Sequence, residues 1–424
     1  MAKRPAFLSS DPAGLPARRA ALRLMDAVMR RGETLDVAEH AALQGMRGPA
    51  DRALARAIVG EALRWLVDLD ALIDSATRMP LASDAKARAV LRLMLAQWLR
   101  LETPPHAVIA TGLELLDGGP RRLAHGVFST LNKQAVTLPA VPTLPMPVRE
   151  RWGDLADRVA PGLATPPPLD LTLRDAGRDP AATAEWAERL GGTSLALGHV
   201  RLARGTRVED LAGYAEGAWW VQDLAASLPA RLLGAGEGRR VLDLCCAPGG
   251  KTLQLAAQGW QVTGLDASAK RLERVQQNLA RTGLAAELVQ ADAGESLSDQ
   301  PFDAVLLDAP CTATGTCRRH PDVLHRIGQP QIAQMAELQA RLLDHAQSLV
   351  APGGRLIYAT CSLEPEEGEA QAPRVSLAPD PVLAEELPQG LQPDAHGWVR
   401  TDPAMLAEQG GIDGFFIARW RRPG

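Results

Sequence analysis

The sequence has no long apolar stretch and few cysteines, and these two absences narrow the class of protein. No uninterrupted apolar run approaches the ~20 residues that a membrane-spanning helix needs, and the first residues lack the apolar core of a signal peptide. The five cysteines are an odd number and include the adjacent pair Cys245 and Cys246, which disfavours a disulfide framework. We therefore expect a cytoplasmic protein that does not contact a membrane.

The chain also lacks a large net charge, which by itself argues against a nucleic-acid-binding protein. The formal net charge is −4, but residues 1–140 carry 19 basic and 14 acidic side chains, and the remainder carries 27 and 36. Phosphate binding needs a local basic face rather than a basic chain as a whole, so the small net charge does not exclude RNA. Only five of the 46 basic residues are lysine, and we attribute this skew to a GC-rich genome rather than to phosphate recognition by arginine.

The first 140 residues have the apolar periodicity of helices. Apolar side chains recur at three- and four-residue spacing in one stripe made of Ile58, Ala62, Trp65, Leu69 and Leu72. Similar runs lie near 15–30, 91–98, 106–117 and 121–136, and no strand-like alternation interrupts them. We therefore predict an all-α bundle over 1–140, with the stripe in its core.

A proline-rich segment then ends the helical pattern. Four prolines within 138–147 exclude a helix interior and predict an extended linker. The following residues alternate like a strand over 169–173, and Asp179 and Pro180 open a predicted helix over 180–190. These signals indicate a linker and a small α+β module over 141–205.

From about residue 239 the pattern alternates between strand and helix, which is typical of a mostly parallel sheet with helices on both faces. We assign residues 206–424 to this α/β domain, which gives a multidomain α + α/β fold. The predicted helices are 251–257, 268–281 and 331–350. The predicted strands are 240–245, 261–265, 286–290, 302–307, 355–359 and 414–420.

The turn after the first of these strands contains two glycines and could approach a ligand closely. A dinucleotide-binding G-x-G-x-x-G is absent, and a P-loop would need glycine where Cys245 stands. S-adenosylmethionine (SAM) carries no phosphate, so a short turn suffices for it. Asp266 ends the second strand, where a carboxylate can bind ribose hydroxyls, and Asp292 follows the third strand, near the expected adenine position.

Two cysteines follow the next two strands, Cys311 after the fourth and Cys361 after the fifth. Ligands and catalytic groups collect at such strand ends in open α/β sheets. Thiols and SAM together suit the methylation of cytosine carbon-5, because a thiolate that adds to carbon-6 converts the ring into a nucleophilic enamine. Asp308 is placed to hydrogen-bond the activated ring. The residues alone do not decide which cysteine attacks.

Several of these segments closely resemble the bacterial 16S ribosomal RNA cytosine-5 methyltransferases of the RsmB (Sun/Fmu) type. Coverage is nearly the whole chain, and the first domain resembles the family's NusB-like RNA-binding domain. The segments that carry the resemblance are 104–107, 217–223, 242–252, 308–311, 318–322, 358–362, 364–367 and 413–416.

The resemblance implies a function and a role for each site residue. It implies a SAM-dependent enzyme, expected as a monomer, that methylates carbon-5 of a cytosine in 16S rRNA. Cys361 would be the nucleophile, and Cys311 would assist product release. Lys251 would also reach the target base. The implied cofactor-binding residues are Cys245, Cys246, Ala247, Pro248, Gly249, Gly250, Lys251, Asp266, Asp292 and Asp308.

Two alternatives stay open: a cytosine-5 methyltransferase of another RNA such as transfer RNA, and a non-catalytic RNA-binding factor of the NusB type. We expect no metal site, since Cys317 lacks ligands at suitable spacing. The loop residues Arg318, Arg319 and His320 are expected to hold RNA phosphate. Trp219 and Trp220 are expected to be core residues rather than base-stacking platforms.

Overall fold

The computed structural model describes residues 13–46, 48–175, 179–205, 207–294 and 300–424, and these form two compact units. The first unit comprises the described residues up to Ala164 together with the segment His320–Arg326. The second comprises Thr165–Arg319 and Ile327–Gly424. The three-domain division drawn from the sequence, with boundaries at 140 and 205, stays a prediction.

The first unit is helical, as its apolar periodicity predicted. Four members of the predicted core stripe, Ile58, Ala62, Trp65 and Leu69, are at most 1% exposed, because helical spacing brings them to one side where the other helices cover them. The helices up to the end of this part of the chain are α1 (Leu15–Arg31), α2 (Leu35–Ala42), α3 (Pro49–Arg64), α4 (Leu66–Ser75), α5 (Lys86–Leu99), α6 (Pro105–Gly112), α7 (Gly118–Lys133), α8 (Met146–Trp152) and α9 (Asp154–Val159).

The proline-rich segment between α7 and α8 is non-helical, as predicted. It is nevertheless fixed to the bundle, since the Thr143 backbone N–H and hydroxyl donate to the two carboxylate oxygens of Asp68 on α4, at 2.9 and 2.7 Å. Helical structure resumes in α8 and α9, so the first unit extends beyond the prolines to Ala164.

The second unit begins with a three-stranded antiparallel sheet. Its strands are β1 (Leu169–Leu173), β2 (His199–Leu202) and β3 (Trp219–Val221), in the order β2-β1-β3, and α10 (Pro180–Leu190) lies between β1 and β2 in the chain. The predicted strand and helix are both confirmed, and the Asp179 side chain caps α10 by accepting from the Ala181 N–H. Trp219 and Trp220 are buried, as expected of core residues.

An eight-stranded sheet with its helices follows in the second unit. The further helices and strands of the chain are α11 (Leu224–Arg231), β4 (Arg240–Leu244), α12 (Gly250–Ala257), β5 (Gln261–Asp266), α13 (Ala269–Thr282), β6 (Glu287–Gln290), β7 (Phe302–Asp308), α14 (Val323–Arg326), α15 (Gln329–Ser348), β8 (Val350–Thr360), β9 (Ala378–Pro379), β10 (Val399–Thr401) and β11 (Phe415–Arg421). The five strands from β4 to β8 run parallel, in the order β6-β5-β4-β7-β8. Strands β11, β10 and β9 extend the sheet in antiparallel fashion beyond β8. This confirms the predicted mostly parallel sheet.

Both faces of this sheet are covered, so its strands are apolar on both sides. Val241 and Leu306 pack in a cluster with residues of α11 and α12. The next residues along the same strands, Leu242 and Leu307, pack on the opposite face with residues of α15. Because successive side chains of a strand point to opposite faces, this alternation fixes the sheet between two layers.

Strand β8 begins five residues before its predicted start at 355. Its register against β7 shifts near Phe302, which pairs with Val350. Gly353 adopts a positive φ of 76° there, and a Cβ on Gly354 would lie 2.8 Å from the carbonyl oxygen of Asp303. The glycines therefore allow an irregular strand start that periodicity does not reveal.

The short helix α14 lies in the segment His320–Arg326, which belongs to the first unit. Val323 and Leu324 are buried, and His325 Nε2 lies 2.7 Å from the carbonyl oxygen of Leu63. Burial lowers the pKa of His325 to about 4. Among the described residues, no helix combines the length and apolar character needed to cross a membrane.

Candidate active site

The carboxyl ends of the parallel strands bring the candidate residues to one edge of the sheet. Strand β4 pairs with β7 through Leu244 and Leu307, and β7 pairs with β8 through Asp308 and Ala359. The glycine-containing turn follows β4, Cys311 follows β7 and Cys361 follows β8. As predicted, the sheet therefore gathers the turn and both cysteines at one edge.

The two cysteines are in direct contact. Their Sγ atoms lie 3.4 Å apart, and both residues are half-buried free thiols. The loop that carries Cys311 also meets the backbone after β8, because the Gly315 N–H donates to the Cys361 carbonyl at 3.0 Å. This proximity places two thiols within reach of one substrate atom.

The environment of Cys311 keeps its thiol protonated. The contact with Cys361 and burial raise the pKa of Cys311 well above its ordinary value, and the charge of Glu367 adds to the effect. At neutral pH Cys311 is therefore a neutral thiol that can donate a hydrogen bond to Cys361.

Lys251 and Asp308 form an ion pair at the same edge. Lys251 Nζ lies 2.6 Å from Asp308 Oδ2 and 5.2 Å from the centre of the Phe415 ring. Burial lowers the pKa of Lys251, but the Asp308 carboxylate outweighs burial, so the pKa is raised overall. Cys361 also contributes to this rise in the pKa of Lys251, so the lysine lies near the second thiol as well.

The turn between β4 and α12 is compact and depends on its glycine. Gly249 has φ 103°, and a Cβ there would lie 3.0 Å from a methyl group of Val275. The turn is joined to β5 because the Cys246 N–H donates to the Leu265 carbonyl at 2.9 Å. Burial raises the pKa of Cys245 to about 12 and also raises that of Cys246, so neither cysteine is a thiolate near neutral pH.

Three carboxylates lie near the ends of β4, β5 and β6. Asp266 is buried at the end of β5, and its carboxylate accepts from Ser268 N at 2.9 Å and pairs with Arg271 at 3.2 Å. Asp243 is fully buried, and among the described residues its Oδ1 has no hydrogen-bond partner. Asp292 is exposed and accepts from the N–H of Gly294 in its own loop.

A cavity of about 370 Å³ adjoins the turn. Its wall includes Pro248, Gly250 and the ion pair of Lys251 and Asp308, with Trp220 on another side. The cavity therefore extends from the glycine-containing turn to the charged side chains of Lys251 and Asp308.

The arginines after Cys311 have a different environment from the one expected. Arg318 is 1% exposed, and its guanidinium pairs with Asp413 at 2.9 Å. Arg319 pairs with Asp223 at 2.5 Å and with Asp413 at 2.9 Å. Buried carboxylates neutralise both guanidinium charges, so the expectation that Arg318 and Arg319 hold RNA phosphate is corrected. The two arginines join the Cys311 loop to Asp223 and to Asp413.

His320 and Cys317 complete the predicted set. His320 belongs to the first unit, where its Nδ1 lies 4.0 Å from Asp36. Cys317 is fully buried. Within the described ranges, no group of three or more metal-ligating side chains is assembled.

One further residue of the site, Glu367, could not be singled out from the sequence alone. Its buried carboxylate accepts a hydrogen bond from Thr312 N at 2.9 Å, and the hydroxyls of Thr312 and Ser362 also donate to it. It therefore contacts the residue after each cysteine. The acidic stretch 364–367 gave no signal for this, because Thr312 lies 55 positions away from Glu367 in the chain, although Ser362 is only five positions away.

Two regions of the chain match known protein families. The model of the family described as 16S rRNA methyltransferase RsmB/F matches residues 230–421, and that of the NusB family matches residues 15–118. The ribosomal RNA small subunit methyltransferase B of Xanthomonas campestris is 36% identical over 85% of this chain and 87% of its own length. The protein of the same name from Pseudomonas putida is 34% identical over 95% and 97%.

Solved structures show the same fold. The crystal structure of PH0851 superposes with a TM-score of 0.72 at 21% identity and covers 96% of this chain and 98% of its own. A methyltransferase homolog from Pyrococcus horikoshii gives a TM-score of 0.52 at 25% identity, over 65% and 93%. Together with the matches in sequence, these similarities show that the chain belongs to the 16S rRNA methyltransferase RsmB/F family and carries a NusB-family region in its first part.

Proposed function

We propose that the protein uses SAM to methylate carbon-5 of a cytosine in 16S rRNA through a covalent enzyme–RNA adduct. The observation that carries this proposal is the contact between the thiols of Cys311 and Cys361, 3.4 Å apart beside the ion pair of Lys251 and Asp308. Membership of the RsmB/F family supports methyl transfer to ribosomal RNA. The thiol pair supports carbon-5 of cytosine as the atom that is methylated.

The residues of the turn and the neighbouring strand ends have the donors and acceptors that SAM needs. Asp266, at the end of β5, is assigned to the ribose hydroxyls, and Asp292 to the adenine side. The buried, unpartnered Oδ1 of Asp243 offers a further acceptor below the turn formed by residues 245–251. When bound, SAM supplies an electrophilic methyl carbon on a sulfonium sulfur.

In the first half of the reaction, Cys361 attacks the base. Its thiolate sulfur bonds to cytosine carbon-6, and the electron pair of the C5–C6 double bond moves to carbon-5, which makes the ring an enamine. Asp308 hydrogen-bonds the ring at N3 or the exocyclic amine and so stabilises the activated form. Lys251 balances the Asp308 charge from 2.6 Å away.

In the second half, the enzyme releases the product. SAM held beside residues 245–251 would supply the methyl group to carbon-5 and would leave as the neutral thioether. The carbon-5 proton then leaves to water, its bonding electrons restore the C5–C6 double bond, and the Cys361 sulfur departs as a thiolate. Cys311 is a neutral thiol 3.4 Å away, so it donates a hydrogen bond to the departing sulfur and assists release.

The surroundings of Cys311 support this division of roles. The contact with Cys361 and burial raise the pKa of Cys311, which disfavours Cys311 as the attacking thiolate. The sequence pattern alone leaves this choice open, so the local electrostatics add an independent reason.

The division of roles predicts different outcomes for the two cysteine variants. Cys361→Ala abolishes methyl transfer because no carbon-6 adduct forms, whereas Cys311→Ala accumulates a covalent enzyme–RNA adduct because the product is released slowly. A denaturing gel with labelled RNA measures both outcomes, and Cys317→Ala, at the buried cysteine outside the site, serves as the control. Full methylation by Cys361→Ala would refute the proposal.

The substrate is assigned to 16S rRNA because the curated relatives that span most of this chain are named for the small ribosomal subunit. Bisulfite mapping of 16S rRNA and transfer RNA from a deletion strain tests this choice. We expect one cytosine of 16S rRNA to lose its methyl group and to regain it when the wild-type gene is restored. Loss of methylation only in transfer RNA would show that transfer RNA is the substrate. Calorimetry with SAM separates either methyltransferase from a non-catalytic RNA-binding factor, which would not bind SAM.

A further inference from the structure

One buried carboxylate connects the two loops that carry the cysteines. Glu367 has no exposed surface. Its Oε1 accepts from the Thr312 backbone N–H at 2.9 Å, and its Oε2 accepts from the hydroxyls of both Thr312 and Ser362. Thr312 follows Cys311 directly, and Ser362 follows Cys361 directly, so a single side chain holds both thiol-bearing segments.

Further contacts fix Glu367 to the sheet and to α15. Gln339 on α15 donates to Glu367 Oε1 at 3.1 Å and to the carbonyl oxygen before Cys311, that of Pro310, at 2.8 Å. The carbonyl oxygen of Glu367 accepts from the Tyr358 hydroxyl at 2.7 Å and from the Thr360 hydroxyl at 3.1 Å, both on β8. The carboxylate therefore occupies a rigid position between the end of β7 and the end of β8.

The partners of Glu367 are neutral donors. Among the described residues, no lysine, arginine or histidine forms an ion pair with it. Burial raises the pKa of Glu367, and the hydrogen bonds from Ser362 and Thr312 oppose that rise. A buried carboxylate without a counter-charge costs stability, and the hydrogen bonds from the two cysteine loops offset part of that cost.

We propose that Glu367 is the positioning residue that sets the contact between Cys311 and Cys361. It acts through Thr312 and Ser362 and does not itself touch the substrate. Its effect on catalysis rests on the function proposed above, whereas its effect on the distance between the thiols does not.

The distance between the thiols can be measured without RNA or SAM. In buffers of reduced and oxidised glutathione, the reaction is protein dithiol plus GSSG giving protein disulfide plus two GSH, so its equilibrium constant reports how closely the native fold holds the two sulfurs. Acid quenching, alkylation and peptide mass spectrometry quantify the Cys311–Cys361 disulfide separately from the other cysteines.

Glu367→Ala is expected to lower this equilibrium constant by about tenfold or more, because the loops lose their shared anchor. In the methylation assay kcat falls by roughly 10- to 100-fold with little change in KM for RNA, as misplacement of reacting groups predicts. Glu367→Gln retains one acceptor oxygen and gains an amide donor for the hydroxyls, so it recovers part of both losses. The exposed neighbour Glu366 provides the matched control, and Glu366→Ala is expected to behave as wild type.

An unchanged glutathione equilibrium in folded Glu367→Ala would overturn the proposal. Should that variant fail to fold, Thr312→Val and Ser362→Ala remove the hydroxyl bonds one at a time, and wild-type equilibria in both would overturn it as well. A wild-type enzyme that forms the disulfide as expected but does not methylate RNA would refute the proposed function and leave the positioning role standing.

Discussion

The charged residues of this site differ in the groups that compensate their charge. Lys251 is paired with Asp308, Arg318 is paired with Asp413, and Glu367 is held by neutral donors alone. The two ion pairs join residues 57 and 95 positions apart in the chain, and Glu367 joins Thr312, 55 positions away, to its near neighbour Ser362. The sequence therefore predicted which residues lie near the site. It could not show that Lys251 lies at the site whereas the charge of Arg318 is neutralised by a structural ion pair.

Asp243 provides a test of these buried charges through pH. Burial raises its pKa from 3.8 to about 7, so the folded protein binds more protons at this group than the unfolded chain between about pH 4 and pH 7. The stability that this protonation contributes is present at low pH and is lost as the pH rises through 7. We predict that wild type loses more unfolding free energy between pH 5 and pH 8 than Asp243→Asn does.

Urea unfolding at a series of pH values measures this difference. Asparagine keeps an oxygen that accepts the hydrogen bond of Thr252, which now goes to the carboxylate at 2.6 Å, but it does not titrate. Asp243 also contributes to the raised pKa of Cys245, Cys246 and Lys251, but these groups titrate above this pH range, so the difference between the two proteins reports Asp243. Parallel stability curves for the two proteins would contradict the buried, raised pKa.

Among the secondary-structure elements, those with local signals were predicted well. Helix α10 has its predicted bounds because Asp179 caps it and Pro180 fits its first turn. The start of β8 was missed, because the strand begins at an irregular pairing that depends on contacts of Gly354 with another strand. The gathering of the cysteines at one edge followed from parallel strand order, but their direct contact depends on loop packing.

The packing of the Cys311 loop against the start of β11 predicts a sharp effect of one methyl group. A Cβ on Gly315 would lie 2.0 Å from the carbonyl oxygen of Gly414 and 2.9 Å from that of Cys361. Gly315→Ala is therefore expected to lower the unfolding free energy by about 1–3 kcal/mol and to reduce methylation. Gly126→Ala, where a Cβ in α7 meets nothing within 4 Å, is the matched control, and denaturant unfolding should show it unchanged or slightly more stable. Equal stability of the two variants would show that the loop does not pack this closely.

At the scale of the whole molecule, the chain passes between its two units more than once. The first unit takes its residues from the region up to Ala164 and from His320–Arg326. Composition and periodicity could predict a helical region followed by an α/β region, because those signals run along the chain. They could not predict that a short segment within the α/β region belongs to the first unit, since its partners, such as Leu63 for His325, are distant in sequence.

This arrangement predicts the behaviour of the second unit when it is made alone. Without residues 1–164, the segment His320–Arg326 loses the surroundings that bury Val323 and Leu324, and it should open locally. Limited trypsin digestion followed by mass spectrometry should then show rapid cleavage after Arg326 in the fragment and slow cleavage there in the full chain. Equal resistance in both would mean that the segment is held within the second unit.

The discontinuous first unit also bears on how such proteins can be recombined. A chimaera that replaces residues 1–164 with the helical region of a relative receives only part of that relative's unit. The remaining part, His320–Arg326, would still come from the recipient, so the first unit of the hybrid would combine segments from two different proteins. A functional hybrid needs both segments from the same donor, and the two segments are therefore expected to be inherited as a pair.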